Sequence, residues 1–156
     1  FRAGERTFQI LTQVAGRAGR STLGGNVIIQ TYTPEHYAIQ AASRHDYKAF
    51  AAQELAFRAH KGYPPFSQMA RLVVQHPAQQ KAQAEAERVH QMLKLRIGQL
   101  GLPEITLVGP VPCFVSRLRG RYRWQIIVQA QDVHPLLSGM TLPAGWVMDV
   151  DPVSVL

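Results

Sequence analysis

Two arginines beside glycines, Arg17 and Arg20 in the run Gln13-Val14-Ala15-Gly16-Arg17-Ala18-Gly19-Arg20, are the residues best suited to chemistry on a phosphate. A guanidinium is a planar fork of donors that grips two phosphate oxygens at once and stays charged. The same cations would also suit a helix C-terminus, where they complement the dipole. A second arginine set lies far along the chain. Arg117, Arg119, Arg121 and Arg123 occupy alternate positions, with Tyr122 and Trp124 interleaved and no acid among them. In a fully extended segment all of these arginines would share one face and the aromatics the other. Gly120 interrupts that geometry and predicts a turn. An arginine row beside aromatics serves phosphate backbones and stacked bases. It serves the carboxylates of an acidic peptide tail equally well. A solvated hairpin with Trp124 in the core is the plainer alternative.

The chain lacks the partners that a phosphate-gripping arginine needs. No GxxxxGK[ST] loop and no acidic DExx run occurs in its 156 residues. The six histidines are scattered, no HExxH or Ser/His/Asp arrangement is legible, and the one cysteine, Cys113, makes neither a disulfide nor a four-ligand zinc site. No metal site is therefore expected. Asp149 and Asp151 alternate near the end, where they suit a strand terminus and an Asp151-Pro152 turn better than a catalytic pair. With 46% hydrophobic and 17% charged residues, the chain can build a core and is not disordered overall. A net charge of +7 favours polyanionic partners. No apolar run approaches the roughly 20 residues of a membrane helix, so no membrane contact is expected.

These residues need elements to hold them. Phe8, Ile10, Leu11 and Val14 predict a helix over residues 5–14, ending near the glycines at 16 and 19. Residues 21–25 read as a turn, and 26–31 (NVIIQT) as a short buried strand. Thr33-Pro34-Glu35 predicts a helix start, and the helix should run to about His60. Gly62 is its stop and Pro64-Pro65 prevents continuation, which places a domain boundary at residues 62–66. Beyond it the pattern predicts a strand at 69–75 and a helix at 78–100. That helix presents Ala82, Ala86, Val89, Leu93, Ile97 and Leu100 on one face. Further strands follow at 105–112, 122–129 and 146–150, with an unclear segment at 133–142. The fold class is α/β, then α+β of β-α-β-β-(α)-β order with helices on one face. The domains are residues 1–62 and 63–156.

The run Gln13 to Arg20, QxxGRxGR, resembles the last conserved motif of superfamily 2 helicases. Three further blocks narrow the likeness: 31–36 (TYTPEH), 109–112 with 120–125 (GPVP and GRYRWQ), and 147–152 (VMDVDP). Together with residues 11–20 (LTQVAGRAGR), they resemble the C-terminal part of the PriA family of primosomal replication-restart DNA helicases, also called primosomal protein N′. The resemblance spans nearly the whole chain. It implies the end of a RecA-like second helicase lobe over residues 1–62. A small split-βαβ domain, similar in fold to a small ribosomal-subunit protein, would follow.

It also implies an ATP site lined by Gln13, Gly16, Arg17 and Arg20. Arg17 and Arg20 would act as catalytic fingers on the γ-phosphate, an effect worth roughly a thousandfold or more in rate. ATP and Mg2+ would then be needed by the full-length protein, with Zn2+ bound upstream of Phe1. The chain opens on Phe1 rather than Met, and is expected to be the C-terminal piece of a larger motor, inactive as an ATPase alone.

The implied partners are single-stranded and forked DNA, other primosome proteins and the acidic C-terminal tail of the single-strand-binding protein. Arg117, Arg119, Arg121 and Arg123 are the expected DNA contacts. For the tail, Arg121 would grip a carboxylate while Gln125 donates beside it. A monomer in the bacterial cytoplasm, associated with the nucleoid, is expected. The alternative is a stand-alone basic nucleic-acid-binding module without motor function. Residues 11–20 discriminate, since such a module has no reason to carry QxxGRxGR.

Overall fold

The computed structural model describes residues 1–18 and 25–153. The chain forms two compact units, Phe1–Lys61 and Gly62–Leu156.

The first unit is helical: α1 (Ala3–Ala18), α2 (Tyr37–Ser43) and α3 (Tyr47–Lys61). Phe8 of α1 stacks on Phe50 of α3 with ring centroids 4.3 Å apart, and Ala38, Ala41 and Ala42 of α2 close the small core around them. α1 ends at Ala18, near the glycines at 16 and 19 as expected. Three sequence expectations are corrected here. Residues 26–31 form no strand; Ile28 is 93% exposed. A strand needs a neighbour for its backbone groups, and this unit offers none among its described residues. The long helix from Thr33 is broken at residues 44–46, where His45 has φ +53°. Asp46 Oδ1 accepts from the Ala49 N–H (2.9 Å) and starts α3 afresh. The cap of α2 is His36, whose Nδ1 accepts from Ala38 N–H at 3.2 Å, rather than Thr33.

A buried polar network ties the three helices. Arg58 donates from Nε to Glu54 (2.7 Å) and from Nη2 to Glu5 (2.9 Å), while the Tyr37 hydroxyl donates to the other oxygen of Glu54 (2.6 Å). Gly4 permits the approach, for a Cβ there would fall 2.6 Å from the Tyr37 hydroxyl and 2.7 Å from Glu54 Oε2.

The second unit is a four-stranded sheet of order β2-β3-β1-β4, built from β1 (Gln68–His76), β2 (Thr106–Leu118), β3 (Arg121–Ala130) and β4 (Trp146–Val150). All neighbours are antiparallel. β1 and β2 thus flank β3 in the same direction and are joined by α4 (Gln79–Leu100), which is a split βαβ unit. The chain's second half is α+β as its pattern predicts.

Ala82, Ala86, Val89 and Leu93 of α4 are fully buried, and Val89 and Leu93 share one core with Ala70 and Leu72 of β1 and Ile126 and Val128 of β3. Leu136 and Leu137 of the short α5 (His134–Leu137) join the same core. Ile97 packs at its margin. Leu100 does not belong to it, because α4 has passed the sheet by then. The helix ends at Gly101 with φ +64°, where Leu102 N–H returns to Ile97 O. The Trp146 indole donates to Glu85 (3.1 Å) and ties β4 to α4. Asp151, with φ +51°, closes β4 by accepting from Met69 N–H.

Burial first, and then the hydrogen bond to Glu54, push the Tyr37 phenol up to about 12 from its usual 10.0. The unfolded chain therefore releases this proton first. The contribution to stability is full below pH 10.0 and is lost as pH rises through about 12. Tyr37→Phe should remove this alkaline loss. Denaturant midpoints measured across that window check it: the wild-type midpoint should fall more steeply with pH than that of the variant.

Candidate functional site

The hairpin β2–β3 carries the arginine row, and its register decides where each arginine goes. Ile126 and Val128 face α4, so Tyr122 and Trp124 share their side of β3, while Arg121, Arg123 and Gln125 take the other side. The turn residues Arg119 and Gly120 have φ of +49° and +77°. Both signs are positive, as a two-residue type I′ loop requires. That loop pairs Leu118 with Arg121 and Arg117 with Tyr122.

The turn expected at Gly120 is present, and it splits the arginine row. Arg117 lies on the Tyr122 side, its guanidinium 5.1 Å from the ring centroid. Arg119 sits at the tip. Arg121 and Arg123 point the other way. Arg117, Arg119 and Arg121 are exposed, whereas Arg123 is half-buried and reaches back towards the Val115 carbonyl at 3.5 Å. Trp124 is half-buried, on the helix side and opposite Val74 and Pro112.

Gln125 is 7% exposed and Arg71 of β1 9%. Arg71 Nε donates to Gln125 Oε1 at 2.7 Å. This bond orients the amide, because the oxygen faces a cation and the Nε2 donors are left for another acceptor. Arg71 was not legible as a site residue: a basic residue in an apolar strand carries no signal of its cross-strand partner. Between Glu104 and Asp132 the sequence holds no acid, so the whole hairpin presents donors without competing carboxylates.

In the first unit, Gln13, Gly16 and Arg17 fall at positions i, i+3 and i+4 of α1, which places them on one exposed stripe. Arg17 sits nine residues beyond the buried Phe8, on the opposite side of the helix. Arg20 lies outside the described residues. Among the described residues, no group of three His, Cys, Asp or Glu side chains is arranged to hold a metal. No described helix is long and apolar enough to cross a membrane.

Residues 59–153 match the family model of the primosomal protein N C-terminal domain. The chain belongs to the PriA family. It is 43% identical over 129 residues to the replication restart protein PriA of Bacillus subtilis, covering 83% of this chain and 16% of that protein. Against PriA of Synechocystis the identity is 39%, over 99% of this chain and 18% of the relative. Against PriA of Treponema pallidum it is 40%, over 100% and 24%. The chain thus spans about a fifth of the length of these PriA relatives.

Within this PriA-family chain, Gly16 has no local structural reason. It is a glycine near the end of a helix that continues past it, and a Cβ there would meet nothing within 4 Å. Glycine in a helix costs about 0.5–1 kcal/mol relative to alanine. Gly16→Ala should therefore stabilise the first unit by up to that amount, read as a rise in denaturant midpoint. A fall in the midpoint would show a local constraint on Gly16.

Proposed function

We propose that this chain is the C-terminal portion of an ATP-dependent superfamily 2 DNA helicase of replication restart. In this reading it closes the second RecA-like lobe and adds a domain that binds DNA and protein. The observation that carries the binding role is the acid-free hairpin, with Arg117, Arg119 and Arg121 exposed beyond the core. Single-stranded and forked DNA offer it a dense row of phosphates.

The acidic C-terminal tail of the single-strand-binding protein uses the Gln125 side of the same hairpin. Arg121 takes a tail carboxylate through its fork, and Gln125 Nε2, held by Arg71, donates beside it. Arg121 and Gln125 are four apart on β3 and share its face. Arg123, expected as a DNA contact, contributes least, because it is turned under β2.

Gln13, Gly16, Arg17 and Arg20 belong to the ATP site of the whole motor. The exposed stripe on α1 supports that role: Arg17 is fixed on a helix and free to face a second lobe. Its part is to hold phosphate oxygens as charge develops on them. The chain has no phosphate loop of its own, so ATP, Mg2+ and the helicase reaction belong to the full-length protein. The primosome and a cytoplasmic site of action follow from the same reading.

Titration with labelled single-stranded DNA and, separately, with an acidic tail peptide tests the binding roles. The slope of log K against log salt is about −0.7 per phosphate contacted. Replacing Arg119 and Arg121 by alanine should flatten it by about 1.4 units, one phosphate for each arginine. Arg121→Ala and Gln125→Ala should each weaken the peptide by about tenfold, as loss of a charge-assisted or oriented hydrogen bond does. DNA affinity that ignores salt, or peptide affinity that ignores both changes, would remove the reading.

A further inference from the structure

Strand β2 does not run evenly beside β3. Pro112 stands opposite Trp124 and Arg117 opposite Tyr122. Cys113, Phe114, Val115 and Ser116 therefore lie against Arg123 alone. Such an irregularity bends a strand and re-aims its side chains. Here Cys113 is turned inward and buried, while Phe114 is turned out and 79% exposed. Val115 and Leu118 are exposed around it.

A single exposed apolar side chain is ordinary. This one sits on the hairpin end that carries Arg117, Arg119 and Arg121, in a stretch without an acid. The other aromatics of the hairpin are less available. Tyr122 and Trp124 lie half-buried on the helix side, and the Arg117 guanidinium faces the Tyr122 ring.

We propose that Phe114 is a base-stacking residue. The bulge holds its ring out against an unpaired base of single-stranded DNA, while the neighbouring arginines hold the phosphates on either side. The inference rests on the reading of the hairpin as a nucleic-acid surface and names a residue that sequence spacing did not suggest. Charge complementarity selects the occupant: a strand of phosphates satisfies the exposed arginines, and its bases supply the flat apolar partner that the ring lacks.

The test uses this chain, a fluorescent oligothymidylate and an abasic oligonucleotide of the same length. Phe114→Ala, Phe114→Tyr and the Arg119→Ala/Arg121→Ala double variant are compared with wild type. Since Phe114 is exposed, its variants should unfold at the wild-type temperature, which a thermal melt verifies. Phe114→Ala should weaken oligothymidylate about tenfold, with the salt slope and the abasic affinity unchanged. Phe114→Tyr should restore the affinity. Unchanged oligothymidylate binding in Phe114→Ala would overturn the proposal. So would an equal loss on both oligonucleotides, which would make the ring a sequence-blind apolar contact rather than a base stack. Loss of the electrostatic reading gives a different result: affinity that the arginine double variant leaves intact. No DNA binding by wild type would overturn both.

Discussion

The burial of one helical stripe governs the second unit. Ala82, Ala86, Val89 and Leu93 recur at spacings of three and four, and α4 can hide them only by lying on β1 and β3. Once α4 lies on that face, the strand period of two assigns every residue of β3 a side. Ile126 and Val128 go in. Gln125, Arg123 and Arg121 go out. The chemistry of the outer face is thus a consequence of the inner one.

Much of this was legible. The 3.6 period of α4 and the apolar runs at β1, β3 and β4 are strong local signals, and they lie in the unit whose elements pack on one another. The first unit was harder. NVIIQT has every property of a buried strand, yet a strand is not a local object: it forms where another strand accepts its hydrogen bonds, and this unit has none among its described residues. The break at residues 44–46 is hidden in the sequence because the alanines on both sides favour helix and outweigh the one cap signal at Asp46. Glu54 and Arg58 look like a solvent-facing i,i+4 pair in sequence. They are buried, because Tyr37 and Glu5 arrive from two other helices.

The candidate site shows the same division. Alternation placed Arg121 and Gln125 together correctly, since both lie on one regular strand. It does not carry across to Arg117, because crossing a two-residue turn resets the parity. Nor could it find Arg71 or Phe114. The first depends on a cross-strand partner 54 residues away. The second depends on a register irregularity that only the paired strand reveals. The helicase-like run was legible as a pattern, and α1 gives its first residues a shared face.

The irregular stretch at Cys113–Ser116 has a further consequence for how such a surface changes over time. Below it, inserting or deleting one residue in β3 would swap the faces of Ile126 and Gln125 and ruin the core. Above it, the β2 side of the hairpin end is no longer indexed to the positions that α4 covers, while β3 stays in register with β1 as far as Tyr122. Residues can be gained or lost at the tip while Leu72, Leu93 and Ile126 keep their places. The tip is therefore the part of the fold where drift is least constrained, and where chains sharing one core can diverge in what they hold.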